Sequence, residues 1–103
     1  MKETDQQNYE FDRIDDLIHS RVRLAAMAYL TGAGTADFKA IKSAVKATDG
    51  NISAHLRKLE DAGYLVSIKQ FNGRKPQTLY EMSDKGRSAW RRYLTHLSEL
   101  LAE

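Results

Sequence analysis

The chain has 103 residues, a formal net charge of +2 and no cysteine. That size allows one domain with a single small core, and the lack of cysteine excludes disulfides and thiolate metal sites. No apolar run approaches the roughly 20 residues of a membrane span, and the polar, acidic start from Met1 to Asp12 lacks a signal peptide's apolar stretch, so a soluble, cytoplasmic protein is expected.

Residues 1–10 show no periodicity and read as a flexible tail, which leaves 11–103 as the folded domain. Ile14, Leu17 and Ile18 predict a short helix. Ser20 is placed to cap the next one, in which Val22, Ala25, Ala26, Tyr29 and Leu30 recur at helical spacing, with Gly32 and Gly34 ending it. Asp37 caps a third helix whose inward residues are Phe38, Ile41 and Val45. A short link near Ala47 follows, and Thr48 caps a fourth helix over about 48–62. There Ile52, Leu56 and Leu59 follow i, i+4, i+7 and fall within about one third of the circumference. Gly50, Ala54, Arg57, Lys58 and Asp61 point the opposite way, Asn51 and Ser53 flank that face, and His55 lies nearer the core edge. Gly63 stops the helix by supplying a left-handed residue. Tyr64 to Phe71 and Thr78 to Ser83 are rich in β-branched and aromatic residues and predict a hairpin. Its loop, residues 72–77, is longer than a minimal turn. Ser83 or Asp84 begins a last helix, whose apolar stripe is Trp90, Tyr93, Leu94, Leu97, Leu100 and Leu101.

Two helices joined by a short link, then a hairpin, then a long helix is the layout of a winged helix-turn-helix. The fold class is α+β, mainly α, with a two-stranded β-wing and a long C-terminal helix. Charge is distributed to match. Met1 to Ile18 carries two basic and six acidic residues, whereas Lys39 to Tyr80 carries eight basic residues against three acidic. The positive excess sits on the helix pair and the hairpin, where a polyanion would gain affinity by counterion release. A solvated charged surface is the plainer account of any such cluster taken alone; its coincidence with the helix pair favours double-stranded DNA.

The candidate contacts follow from position. Asn51 lies near the start of the fourth helix, where side chains reach base edges, and asparagine can bond adenine at two points. Its alternative is a local capping role. Ser53 suits a phosphate or a base, and Arg57 and Lys58, further along, suit phosphates or plain solvent. Thr48 is a cap first and a phosphate donor second. Asp49 suits the helix dipole but repels phosphate, so it either accepts from a cytosine amine or simply caps. Arg74 and Lys75 tip the wing, which would reach the adjacent minor groove. Leu97, Leu100 and Leu101 extend beyond the length needed to cover so small a core, and an exposed apolar patch marks an interface. A homodimer is expected through Trp90, Tyr93, Leu94, Leu97, Leu100 and Leu101, shared with Ile14 and Leu17. The plainer alternative folds that stripe over its own domain. His19, His55 and His96 are scattered without ligand spacing. No nucleophile–base arrangement or phosphate-binding glycine loop occurs. No catalysis, metal or cofactor is expected.

Taken together, these motifs resemble the small winged-helix transcriptional regulators of bacteria and archaea, the MarR/ArsR-like group. The likeness covers residues 11–101 and rests on Ile18-His19-Ser20-Arg21-Val22-Arg23-Leu24, on Asp49-Gly50-Asn51-Ile52-Ser53 and on His55 to Tyr64. It continues through the wing, Phe71 to Tyr80, and Ser83-Asp84-Lys85-Gly86-Arg87. The resemblance implies dimeric binding to a pseudopalindromic operator near a promoter, with steric repression. At the position of Ala54 such regulators often hold a long polar residue; alanine departs from this and makes only an apolar contact, such as one with a thymine methyl. A rival reading is a winged helix that binds another protein and no DNA.

Overall fold

Helix boundaries follow from polar residues placed where unpaired backbone N–H groups need an acceptor. In the computed structural model, which describes residues 13–102, Ser20 precedes α1 (Arg21–Ala33) and Asp37 precedes α2 (Phe38–Val45). Thr48 precedes α3 (Asp49–Asp61) and Ser83 precedes α4 (Asp84–Leu101). The side chains of Asp37, Thr48 and Ser83 accept from the N–H groups of Ala40, Asn51 and Gly86; Ser20 makes no such bond. The predicted tail, residues 1–10, lies outside the described residues.

Helix ends are equally local in origin. Gly34 closes α1 at φ +80°, so Gly32 lies inside that helix rather than ending it. After α3, Gly63 takes φ +81°. Its N–H donates to the Glu60 carbonyl and that of Tyr64 to the Leu59 carbonyl, the two bonds of a Schellman ending.

Three strands form one antiparallel sheet, β1 (Thr35–Asp37), β2 (Leu65–Asn72) and β3 (Lys75–Met82), in the order β1-β3-β2. The first was not expected; three residues are too few for a periodic signal. The wing loop is also shorter than predicted. Asn72 pairs with Lys75, so only Gly73 and Arg74 turn, and Gly73 at φ +67° allows so tight a hairpin. Pro76 reads as a loop residue, yet it sits in β3 opposite Phe71. One pair beyond the closing pair, its missing N–H faces away from β2. On that side β1 reaches only as far as Leu79, so no ladder bond is lost.

The core joins all these elements. Val22, Ala26, Met27 and Leu30 of α1 meet Ile41 and Val45 of α2, Ile52, Leu56 and Leu59 of α3, and Leu65 and Met82 of the sheet. Ala89 and Tyr93 of α4 complete it. Each large side chain so buried contributes about 1.5–3 kcal/mol.

Residues 13–20 form turns, not the predicted helix. The Asp15 carboxylate accepts from the N–H groups of Leu17 and Ile18, a local bond that competes with helix formation. Its other oxygen accepts from the Tyr64 hydroxyl, tying this segment to the start of β2. Burial, and then that bond, push the Tyr64 hydroxyl up to about 12, so it remains a donor at neutral pH.

Candidate nucleic-acid interface

Burial of Ile52, Leu56 and Leu59 fixes the rotation of α3. Gly50, Asn51, Ser53, Ala54, Arg57, Lys58 and Asp61 are all exposed. Six of them (Gly50, Ser53, Ala54, Arg57, Lys58 and Asp61) line a shallow depression of about 440 Å³. Gly50 and Ala54, one turn apart, lower the helix surface there because neither carries a long side chain.

Three polar side chains on this face, those of Asn51, Arg57 and Lys58, have no partner among the described residues. The hydroxyl of Thr48 takes the backbone N–H of Asn51 at 3.3 Å, and the Asn51 side-chain amide has no hydrogen-bond partner among the described residues. Arg57 and Lys58 have no carboxylate at ion-pair distance among those residues. Asp49 is different: its carboxylate pairs with the Lys42 ammonium across the link between α2 and α3. An exposed pair of this kind adds little stability, about 0–1 kcal/mol. Its effect on the face is larger, because it neutralises the acidic group nearest the start of α3.

A second basic surface adjoins the first. Lys39, Lys42, Ser43, Lys46 and Ala47 line a depression of about 390 Å³. The sequence counted these lysines as charge without placing them in the interface, although Lys39, Ser43 and Lys46 follow i, i+4, i+7. Lys46 ends α2 in the left-handed region at φ 59°, which keeps the link to α3 short. At the wing turn Arg74 and Lys75 are exposed, and Phe71 beside them is 71% exposed.

His55 locks α3 from behind. Arg23 of α1 donates to its Nδ1 at 2.7 Å and to the Leu17 carbonyl. Burial, then the Arg23 charge, lowers the His55 pKa below 6.5. The guanidinium can only donate, so Nδ1 accepts and the imidazole that fits this contact is the neutral form with its proton on Nε2.

Along α4 the structure separates residues the sequence grouped together. Tyr93 is 1% exposed and belongs to its own core. Its hydroxyl meets His19 Nδ1 at 2.9 Å, and its ring stacks on Trp90 at 6.0 Å. It offers no surface to a second chain, which corrects that part of the predicted interface. Trp90, Leu97, Ile14 and Leu17 are half-buried against the same core, and Leu100 is half-buried. Leu94 and Leu101 are 46% and 74% exposed. Ile14, Leu97, Leu100 and Leu101 line an open depression with Asp16 and His19.

Among the described residues no group of three or more His, Cys, Asp or Glu is placed to hold a metal ion. No described helix is long and apolar enough to cross a membrane.

The sequence pattern of the winged helix DNA-binding domain matches residues 22–101. An uncharacterized protein of Methanocaldococcus jannaschii is 31% identical over 84 residues, 82% of this chain and 91% of that protein. A transcriptional regulator homologue from Pyrococcus horikoshii OT3 superposes with a TM-score of 0.82 at 29% identity, covering 90% of this chain and 94% of the other. A MarR-family transcriptional regulator structure from Enterococcus faecalis V583 gives a TM-score of 0.67 at 21% identity, over 94% and 86% of the two chains.

Proposed function

The chain belongs to the winged helix DNA-binding domain family, and we propose that it is a sequence-specific transcriptional repressor acting on operator DNA as a homodimer. Its fold is that of transcriptional regulators. The observation that carries the proposal is the α3 face, where Asn51, Arg57 and Lys58 are exposed, with no side-chain partner among the described residues, while Lys42 neutralises Asp49. In this reading residues 11–103 are the working unit, with residues 1–10 as a tail.

α3 lies in the major groove. Asn51 bonds an adenine edge, and Ser53 bonds a base or a phosphate. The Gly50–Ala54 depression receives an apolar base edge such as a thymine methyl. Arg57 and Lys58 meet phosphates, joined by Lys39, Ser43 and Lys46 from α2, the helix that crosses the backbone in such folds. Thr48 acts by capping, and Asp49 through its pair with Lys42 rather than by reading a cytosine. Arg74 and Lys75 enter the adjacent minor groove. A two-fold axis at α4 brings Leu94 and Leu101, with Ile14 and Leu100, against the same residues of a second chain. Repression follows from occupying promoter DNA.

The test separates base reading from phosphate contact. Asn51→Ala should reduce discrimination between operator and mutated operator by about 1–3 kcal/mol. Arg57→Ala should weaken all sequences by a similar factor. Affinities for both DNAs from fluorescence anisotropy decide it: equal loss on operator and random DNA for Asn51→Ala removes the base-reading role.

A further inference from the structure

The wing leaves the body of the protein at a definable point. Up to Leu79, β3 is paired on both sides, by β1 and by β2. Beyond it, towards the tip, β3 has only β2 as a neighbour. A two-stranded ribbon of this kind bends and twists easily where its third strand ends. Arg74 and Lys75 stand at its far end.

At that point a chain of three polar side chains crosses from the ribbon to α2. Gln70 Nε2 donates to Gln77 Oε1 at 3.0 Å. Gln77 Nε2 donates to Asp37 Oδ2 at 3.2 Å. Asp37 Oδ1 accepts from the Ala40 N–H at 2.8 Å, which is the N-cap of α2. Gln70 and Gln77 are cross-strand partners, and Asp37 is opposite Leu79, so all three side chains stand on one face of the sheet. One carboxylate thus serves two purposes: one oxygen starts α2, and the other takes a hydrogen bond from the ribbon.

We propose that Gln77 is a positioning residue that braces the wing against the Asp37 cap of α2 and so fixes where Arg74 and Lys75 stand relative to α3. Gln77 touches no DNA; it acts through the wing tip. A held wing loses less freedom on binding than a swinging one, and the saving appears as affinity. This rests on the DNA-binding reading above. It adds a residue that neither charge nor helix position would single out.

The test uses a double-mutant cycle on a random-sequence DNA duplex at low salt. Gln77→Ala should weaken binding about 3–10-fold, the scale of one net hydrogen bond. In an Arg74→Ala/Lys75→Ala background the same change should have no effect, because no charged tip remains to be positioned. Gln77→Glu sets two carboxylates against each other and should bind less tightly than Gln77→Ala. Adding Asp37→Asn should restore binding to within about twofold, since the asparagine oxygen still caps α2 and its amide nitrogen donates to the new carboxylate. That double variant also has the wild-type net charge. An equal loss for Gln77→Ala in both backgrounds, or no restoration by Asp37→Asn, overturns the brace. ¹⁵N relaxation judges it without DNA: Gln77→Ala should raise the mobility of Gly73, Arg74 and Lys75 amides and leave α3 unchanged. If the wild type binds no duplex, the DNA reading fails. The relaxation result then decides the brace alone, and an unchanged tip overturns it.

Discussion

Gly86→Ala should lower the melting temperature by roughly 10–25 °C, a loss on the order of 3 kcal/mol or more. A Cβ at Gly86 would stand 2.0 Å from the Tyr64 carbonyl oxygen, 2.9 Å from its carbon and 3.1 Å from its Cα. All three are backbone atoms, so no side-chain rotation relieves the clash. Retreat is obstructed as well. The Tyr64 carbonyl accepts from the Ser83 N–H, and the Ser83 hydroxyl donates to the Gly63 carbonyl. Moving α4 away breaks both bonds and disturbs its own cap. Gly32→Ala is the control: a Cβ there meets nothing within 4 Å, and in a helix alanine is favoured over glycine by about 0.5–1 kcal/mol. Thermal melts of the two variants should move in opposite directions. Equal melting temperatures would mean that α4 does not depend on this close approach.

The assembly proposal carries the other large effect. Leu94→Glu combined with Leu101→Glu should give monomers that keep their helical circular dichroism and bind an operator about 10²–10⁴-fold more weakly. The two leucines are exposed at 46% and 74% and lie seven residues apart, so they share one face of α4. Glutamates there add charge where a second chain would sit, at no cost to the domain's own core. Leu97 is left alone because it packs on that core, and a charge there would test folding rather than association. Sedimentation equilibrium reads the result. A wild-type monomer, or a double variant that still dimerises, places the interface elsewhere.

Features written within a few residues were legible in the sequence. Asp37, Thr48 and Ser83 cap their helices, Gly63 ends α3, and the spacing of Ile52, Leu56 and Leu59 gives the face of α3 correctly, because each depends on backbone geometry nearby. Contacts between distant segments were not. Nothing local to Thr35–Asp37 marks a strand; it exists because β3 presents a free edge. Asp15 draws Leu17 and Ile18 into turns and reaches Tyr64, 49 residues away. The apolar spacing of α4 could not show which of its residues face inward, and the structure places Tyr93 in the core and Leu94 outside it. The Lys42–Asp49 pair resolves the awkward acidic residue at the start of α3 only once the two helices are placed together.

Lys39, Lys46, Arg57, Lys58, Arg74 and Lys75 meet no carboxylate at ion-pair distance among the described residues, and their expected role is to bind the DNA backbone. A salt titration of duplex binding tests it most directly. Roughly 6–10 phosphate contacts per dimer predict an affinity loss of about 10³–10⁵-fold between about 50 and 200 mM salt, linear in the logarithm of concentration. Binding that does not change with salt, or no binding at any salt, contradicts the account and leaves a protein partner as the better reading of the same surface.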